Sequence, residues 1–312
     1  TLILHLADPV IGLAADLIYT TFEEEDVITR SVILKNTAGQ PIYVTKVMSA
    51  CLDLDCTDEK YDILTLHGSW GRERQMERRS LMHGKQSVGS VRGESSHQEH
   101  PFIALLSENA TQDTGEVYGM HFVYSGNFLA QAELSQFDSI RMTMGIHPEN
   151  FVWKLEQGES FAAPEVVMTY SSEGLSGMTH HYHDMYRGHL IRGEYRDKKR
   201  PILINNWEAT YFDFNTEKLL KIAEQASKLG IEMLVMDDGA ETAGGLKTSG
   251  GAGQCTGDEI RYLVRAGDDL PGFGSVQGAS RLGHRHSGTG RQLMQEPVCA
   301  GSVPKGSQRS CL

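Results

Sequence analysis

No apolar run in this sequence approaches the ~20 residues that a helix needs to cross a bilayer. No basic-then-apolar leader opens it either. A cytoplasmic location without a membrane partner is therefore the default expectation. Cysteine is scarce: the five are Cys51, Cys56, Cys255, Cys299 and Cys311, and no two stand at CxxC spacing. An odd, scattered set excludes a disulfide framework or a thiolate zinc centre as the organising element and reads as reduced thiols. Positive charge is also in deficit, with 29 Lys and Arg against 41 Asp and Glu and a formal net charge of −12. Such a field repels a phosphate backbone, so no nucleic-acid partner is expected, and a neutral or cationic one is easier to accommodate.

Helical periodicity is missing from the first half. Short alternating or apolar runs fall at 13–22, 27–35, 42–54, 63–70, 117–123, 129–134, 140–145, 151–155 and 166–170, broken by polar turns. So many strands without crossover helices predict a large antiparallel sandwich over residues 1–171. The period changes in 172–190, where Leu175, Met178, Tyr182 and Met185 stand at helical spacing. A linker of helix and charged segment over 172–200 is expected. Its histidines His180, His181 and His183 are spaced so that two could share an ion, but no carboxylate or cysteine completes the set. They read as a polar helix face, and no metal site is assigned.

The segment 201–239 reads as a βα unit that repeats. Residues 201–205 form an apolar run followed by a loop carrying Asn206, Trp207, Glu208, Tyr211 and Asp213. Asn215 stands where an N-cap belongs and Glu217 lies in the first turn. Leu219, Leu220, Ala223, Ala226 and Leu229 make one apolar face, and Gly230 stops the helix. A second run at 231–236 delivers Asp237 and Asp238 at its C-terminal end. In barrels and open sheets built from such units, strand C-termini carry the site. On residue chemistry alone, Asp237-Asp238 reads equally as a solvated turn, and Trp207 as packing under the rim.

The text changes again after Gly239. Residues 240–312 hold 15 of the 33 glycines and carry 8 Lys and Arg against 6 Asp and Glu, where residues 1–239 carry 21 against 35. Neither period is sustained there. The segment reads as a slipped reading frame or as natural low complexity, too poor in branched and aromatic residues to offset its chain entropy.

Two motifs carry a family resemblance: Asn205-Asn-Trp-Glu-Ala-Thr-Tyr-Phe-Asp213 and Met236-Asp-Asp-Gly239. Upstream, Gly68-Ser-Trp-Gly-Arg-Glu-Arg74, Arg92-Gly-Glu-Ser-Ser-His-Gln98 and Tyr124-Ser-Gly-Asn-Phe-Leu-Ala-Gln131 follow in order. Over residues 13–239 the chain resembles the bacterial-type α-galactosidases of glycoside hydrolase family 36. The resemblance implies an antiparallel β-supersandwich followed by a (β/α)8 TIM barrel, of which this chain holds only the start, over 201–239. The implied reaction is hydrolysis of terminal α-galactose from raffinose- or melibiose-type oligosaccharides, with retention of configuration and without a cofactor. Retention needs two carboxylates ~5–5.5 Å apart, which the family supplies as aspartates on later barrel strands.

Neither hydrolytic motif occurs in this chain, so no catalytic residue is assigned and the chain alone is expected to be inactive. Trp207, Asp237 and Asp238 fall on positions that the resemblance assigns to galactose binding, and a homotetramer is the implied assembly. The chain is expected to be an N-terminal piece of such an enzyme with an aberrant tail. A non-catalytic carbohydrate-binding or structural sandwich module and an α-N-acetylgalactosaminidase are the alternatives.

Overall fold

The computed structural model describes residues 1–55 and 59–237, with short strands at Tyr262–Arg265, Asp269–Leu270 and Phe273–Gly274. Apart from those strands, the reading of 240–312 falls outside the described residues. The chain forms two compact units, Thr1–Asp197 and Lys198–Leu312.

The first unit is a β-sandwich. In chain order its strands are β1 (Leu2–Asp8), β2 (Leu13–Phe22), β3 (Val27–Asn36), β4 (Ile42–Val44), β5 (Met48–Asp55), β6 (Tyr61–Ser69), β7 (Arg72–Ser80) and β8 (Gly84–Ser90). There follow β9 (Glu99–Ser107), β10 (Val117–Phe122), β11 (Phe128–Leu134), β12 (Ser139–Ile146), β13 (Trp153–Leu155), β14 (Ser160–Ala162) and β15 (Val166–Ser171). One antiparallel sheet runs β1-β2-β3-β15-β10-β9-β6-β7, with β14 also on β3. The facing layer is built from β11-β12-β5 and the pair β13-β4, and β8 lies beside β11. Between the layers, Ile63, Ile103, Leu105 and Met120 from the large sheet meet Phe128, Ala130, Met142 and Met144 from the other. All of these are almost fully buried.

The outer face of the large sheet is covered as well. Helix α1 (Gly174–Met185) lays Met178, Tyr182 and Met185 over Phe102, Ala104, Leu106, Val117 and Val167. Its four apolar positions are the ones whose spacing predicted a helix. Gly119 is needed for this contact, because a Cβ there would come within 2.7 Å of the Tyr182 hydroxyl and 2.9 Å of the Met178 sulfur. The helix ends in a π-helical turn, Tyr186–Leu190, and a 3-10 turn at Glu194–Arg196 follows. Sandwich on one face and helix on the other explain why Phe102–Leu106 is apolar at every position rather than at alternate ones.

The structure corrects two expectations. The run 42–54 is two strands, β4 and β5, in different sheets. Strands β1, β7, β8, β9 and β14 lie outside the expected set. The charged run around Arg78 is an exposed edge strand, anchored through one side chain. Arg78 Nε donates to Asp62 at 2.6 Å, and its other nitrogens donate to the carbonyls of Ser107, Glu108 and Ala110.

The second unit begins with β16 (Leu203–Asn205), a one-turn helix α2 (Trp207–Thr210) where a loop was expected, α3 (Thr216–Lys228) and β17 (Met233–Met236). Strands β16 and β17 are parallel, and Phe214, Leu219 and Ala223 pack on Leu234 and Met236. The other edge of β17 pairs antiparallel with β18 (Tyr262–Arg265), whereas a barrel of repeating βα units has only parallel neighbours. Asn215 caps α3 as its sequence position predicted, accepting the Lys218 amide at 3.0 Å. Gly230 closes the helix at φ +82°. Leu220 and Leu229, expected on the buried face, are exposed at the helix margin and end. Asn215→Ala is expected to cost about 1 kcal/mol of helix stability, read as faster amide exchange across the first turn of α3.

Candidate functional site

Parallel pairing brings strand C-termini to one end of the sheet, and the ends of β16 and β17 meet there with Leu203 opposite Met233 and Asn205 opposite Val235. The residue after each strand is therefore a near neighbour of the other. The Asn205 side chain uses both its groups: Nδ2 donates to Asp237 Oδ2 at 2.8 Å, and Oδ1 accepts the Trp207 amide at 2.7 Å. One carboxamide thus orients the carboxylate at the end of β17 and the first residue of α2.

Asn206 supplies the fixed floor. It is fully buried, and a buried carboxamide must find partners for its groups. Its Oδ1 accepts the Asp237 amide at 2.8 Å, its Nδ2 donates to Thr210 Oγ1 at 2.9 Å, and its own amide donates to the Val235 carbonyl at 3.2 Å. Trp207 is half-buried. Two rings meet its indole at steep angles, Tyr211 at 5.5 Å and Phe212 at 4.9 Å between centroids. Tyr211 holds φ +46° and ψ −127°, a backbone conformation costly for a residue with a Cβ, with its amide on the Trp207 carbonyl at 2.7 Å. Strain of this kind concentrates where a side chain must be aimed.

Trp207 and Asp237 are thus brought to one strand end through Asn205. Asp238 lies outside the described residues. Sequence reasoning counted Asn206 only as a loop residue. Its structural role was signalled, if at all, by a second amide directly after an apolar strand.

The sandwich unit holds two polar clusters that sequence reasoning missed. In one, the Tyr186 hydroxyl and His121 Nδ1 are hydrogen-bonded, and the His121 ring stacks on His100 at 5.4 Å and 16°. Burial, with smaller contributions from His100 and Arg74, pushes His121 down from the usual 6.5 to about 4. Burial pushes the Tyr186 phenol up. Both groups are therefore neutral in the folded chain. In the other, His181 of α1 turns to the sheet and bonds Thr169 at 2.8 Å, while His180 and His183 are exposed. Among the described residues no group of three His, Cys, Asp or Glu is placed to hold a metal ion. No helix among them is long and apolar enough to cross a membrane.

Two family models match this chain. A family model described as the glycosyl hydrolase family 36 N-terminal domain matches residues 1–156, and a Melibiase model matches 160–248. The chain belongs to glycosyl hydrolase family 36. The second match runs past Gly239, where the motif resemblance ends.

Among curated relatives, alpha-galactosidase AgaA of Geobacillus stearothermophilus is 54% identical over 239 residues, covering 77% of this chain and 32% of the relative. Alpha-galactosidase 1 of Pediococcus pentosaceus is 43% identical over the same shares. A crystal structure of an AgaA variant in complex with raffinose superposes with a TM-score of 0.74 at 53% identity, covering 76% of this chain and 33% of that one. A further AgaA variant, crystallised with stachyose, gives 0.73 at 53% over the same shares. The chain thus spans about a third of the length of the curated relatives it matches.

Proposed function

We propose that this chain is the sandwich domain and the opening of the catalytic TIM barrel of a cytoplasmic, tetrameric α-galactosidase. Its own contribution to the reaction is to hold galactose. The substrate class is terminal α-galactosides of the raffinose and stachyose type, the ligands of the AgaA complexes. The observation that carries the reading is the Trp207–Asn205–Asp237 network at the ends of two parallel strands.

A pyranose has an apolar C–H face, which stacks on an indole, and equatorial and axial hydroxyls, which carboxylates accept. Trp207 supplies the face, and Asp237 with Asp238 supplies the acceptors. The family resemblance puts the nucleophile and the acid/base aspartate on later barrel strands. This chain therefore binds the sugar and does not cleave it.

The test is 4-nitrophenyl α-galactoside with the purified chain. The expected result is saturable binding, weakened by Trp207→Ala, with no release of 4-nitrophenolate. Turnover that persists through purification and disappears in an Asp237→Asn variant would overturn the division of labour. Absence of binding would overturn the site.

A further inference from the structure

Residues 210–213 form a tight turn beside Trp207, closed by the Asp213 amide on the Thr210 carbonyl at 3.0 Å. Its first central residue is Tyr211, at φ +46° and ψ −127°. These angles are close to those of the first central position of a type II′ turn, which glycine normally fills because a Cβ is strained there. The other non-glycine residues of positive φ, among those described, are Asp26, Arg74, Asp138 and Asn150. Three of these are the Asp and Asn types that tolerate such angles, and Tyr211 is the one aromatic residue. Glycine would make this turn without strain, so something the tyrosine side chain does has to offset it.

The offset does not come from the core. Tyr211 and Phe212 are 55% and 59% exposed, and the apolar cluster of this unit, built on Phe214, Leu219, Ala223, Leu234 and Met236, includes neither. Nor does it come from the hydroxyl, which lies 3.4 Å from Glu208 Oε2, at the far limit of a hydrogen bond. What remains among the described residues is the indole. Tyr211 meets Trp207 at 5.5 Å and 77° between ring planes, and Phe212, the next residue of the turn, meets it at 4.9 Å and 89°. Edge-to-face pairs of this kind favour particular ring orientations. The segment that carries both rings is itself fastened, by the Tyr211 amide on the Trp207 carbonyl at 2.7 Å and by Thr210 Oγ1 on the Asn206 carbonyl at 3.1 Å.

We propose, resting on the reading of Trp207 as the sugar platform, that Tyr211 is a positioning residue of the galactose site: the strained turn sets its ring against the Trp207 indole and so holds the plane on which the sugar stacks. Glycine at this position relaxes the backbone and frees the indole. Phenylalanine keeps both the strain and the ring, and loses only the long contact to Glu208.

The experiment compares Tyr211→Gly and Tyr211→Phe in the full chain with Trp70 and Trp153 replaced by phenylalanine, so that all indole emission comes from Trp207. Three quantities are read: the anisotropy of that emission without sugar, the galactose affinity, and the urea midpoint of the same emission. Tyr211→Gly is expected to lower the anisotropy, to weaken galactose about fivefold, the scale of one aromatic pair, and to leave the urea midpoint no lower than the parent's, because relief of strain offsets the lost contact. Tyr211→Phe is expected to restore all three, with affinity within about twofold of the parent's. Unchanged anisotropy or affinity in Tyr211→Gly, a fall in its urea midpoint, or a Tyr211→Phe variant as impaired as Tyr211→Gly would each overturn the proposal. A parent chain that binds no galactose would instead overturn the galactose reading, and the anisotropy, read without sugar, would still decide whether Tyr211 holds the indole.

Discussion

Asn206→Ala is expected to release Asp237 from its place and to weaken galactose binding at least about tenfold, with a loss of about 3 kcal/mol in the local stability of the βα unit. The side chain is fully buried and makes two bonds that alanine cannot replace, to the Asp237 amide and to Thr210. Removing it leaves the part-buried Asp237 N–H without its acceptor, which costs part of that group's desolvation as well as the bond itself. The measurement is amide exchange at Asp237 and across α2, alongside galactose affinity. Asn205→Ala separates two effects that Asn206→Ala combines. Asn205 is exposed, so its loss should cost about 1 kcal/mol or less in stability, while still freeing the Asp237 carboxylate and the Trp207 amide. A large fall in affinity with little change in exchange is the expected pattern for that variant.

The sandwich unit is expected to lose about 3 kcal/mol of stability between pH 6.5 and 4 through His121 alone. The sign follows from the direction of the shift. Burial holds the folded-state value at about 4, below the usual 6.5, so in this window the unfolded chain binds a proton that the native state refuses. Stability is complete above the upper value and falls as pH drops through the window. His100, lowered for the same reason, adds in the same direction. Carboxylates lowered by their partners, such as Asp16 with Lys35 and Asp53 with Arg141, act at lower pH. Urea denaturation at a series of pH values checks this. Replacing both partners, His121→Phe with Tyr186→Phe, leaves no polar group stranded and should flatten the profile between pH 6.5 and 4. A profile as steep as that of the parent chain would show that the acid sensitivity lies elsewhere.

These two groups also show where the sequence was legible and where it was not. Strands β3 and β12 alternate between buried and more exposed positions along much of their length, which made them readable to within a residue or two. Strand β7 was unreadable as a strand, because Arg72–Ser80 is a charged sheet edge with almost nothing buried on either face. Strand β9 failed for the opposite reason, since both of its faces are covered and no alternation survives. The break between β4 and β5 reflects a change of sheet at Thr45-Lys46-Val47, a tertiary event with no local pattern.

At the site, the positions of Trp207 and Asp237 after strands were legible from the βα periodicity. The bond network was not, since it depends on pairing register between residues some thirty apart. The pairing of His121 with Tyr186 spans 65 positions and could only come from the fold.

The most direct test of the central claim, that the strand ends carrying Trp207 and Asp237 grip galactose, is fluorescence of a chain in which Trp207 is the only indole. The three tryptophans are Trp70, Trp153 and Trp207, and the first two are exposed and open to replacement by phenylalanine. Galactose and glucose differ only in the hydroxyl at C4. A saturable change in Trp207 emission with galactose, about tenfold or more weaker with glucose and abolished by Asp237→Asn, is the predicted result. A flat response, an equal response to both sugars, or a response that survives Asp237→Asn would contradict it.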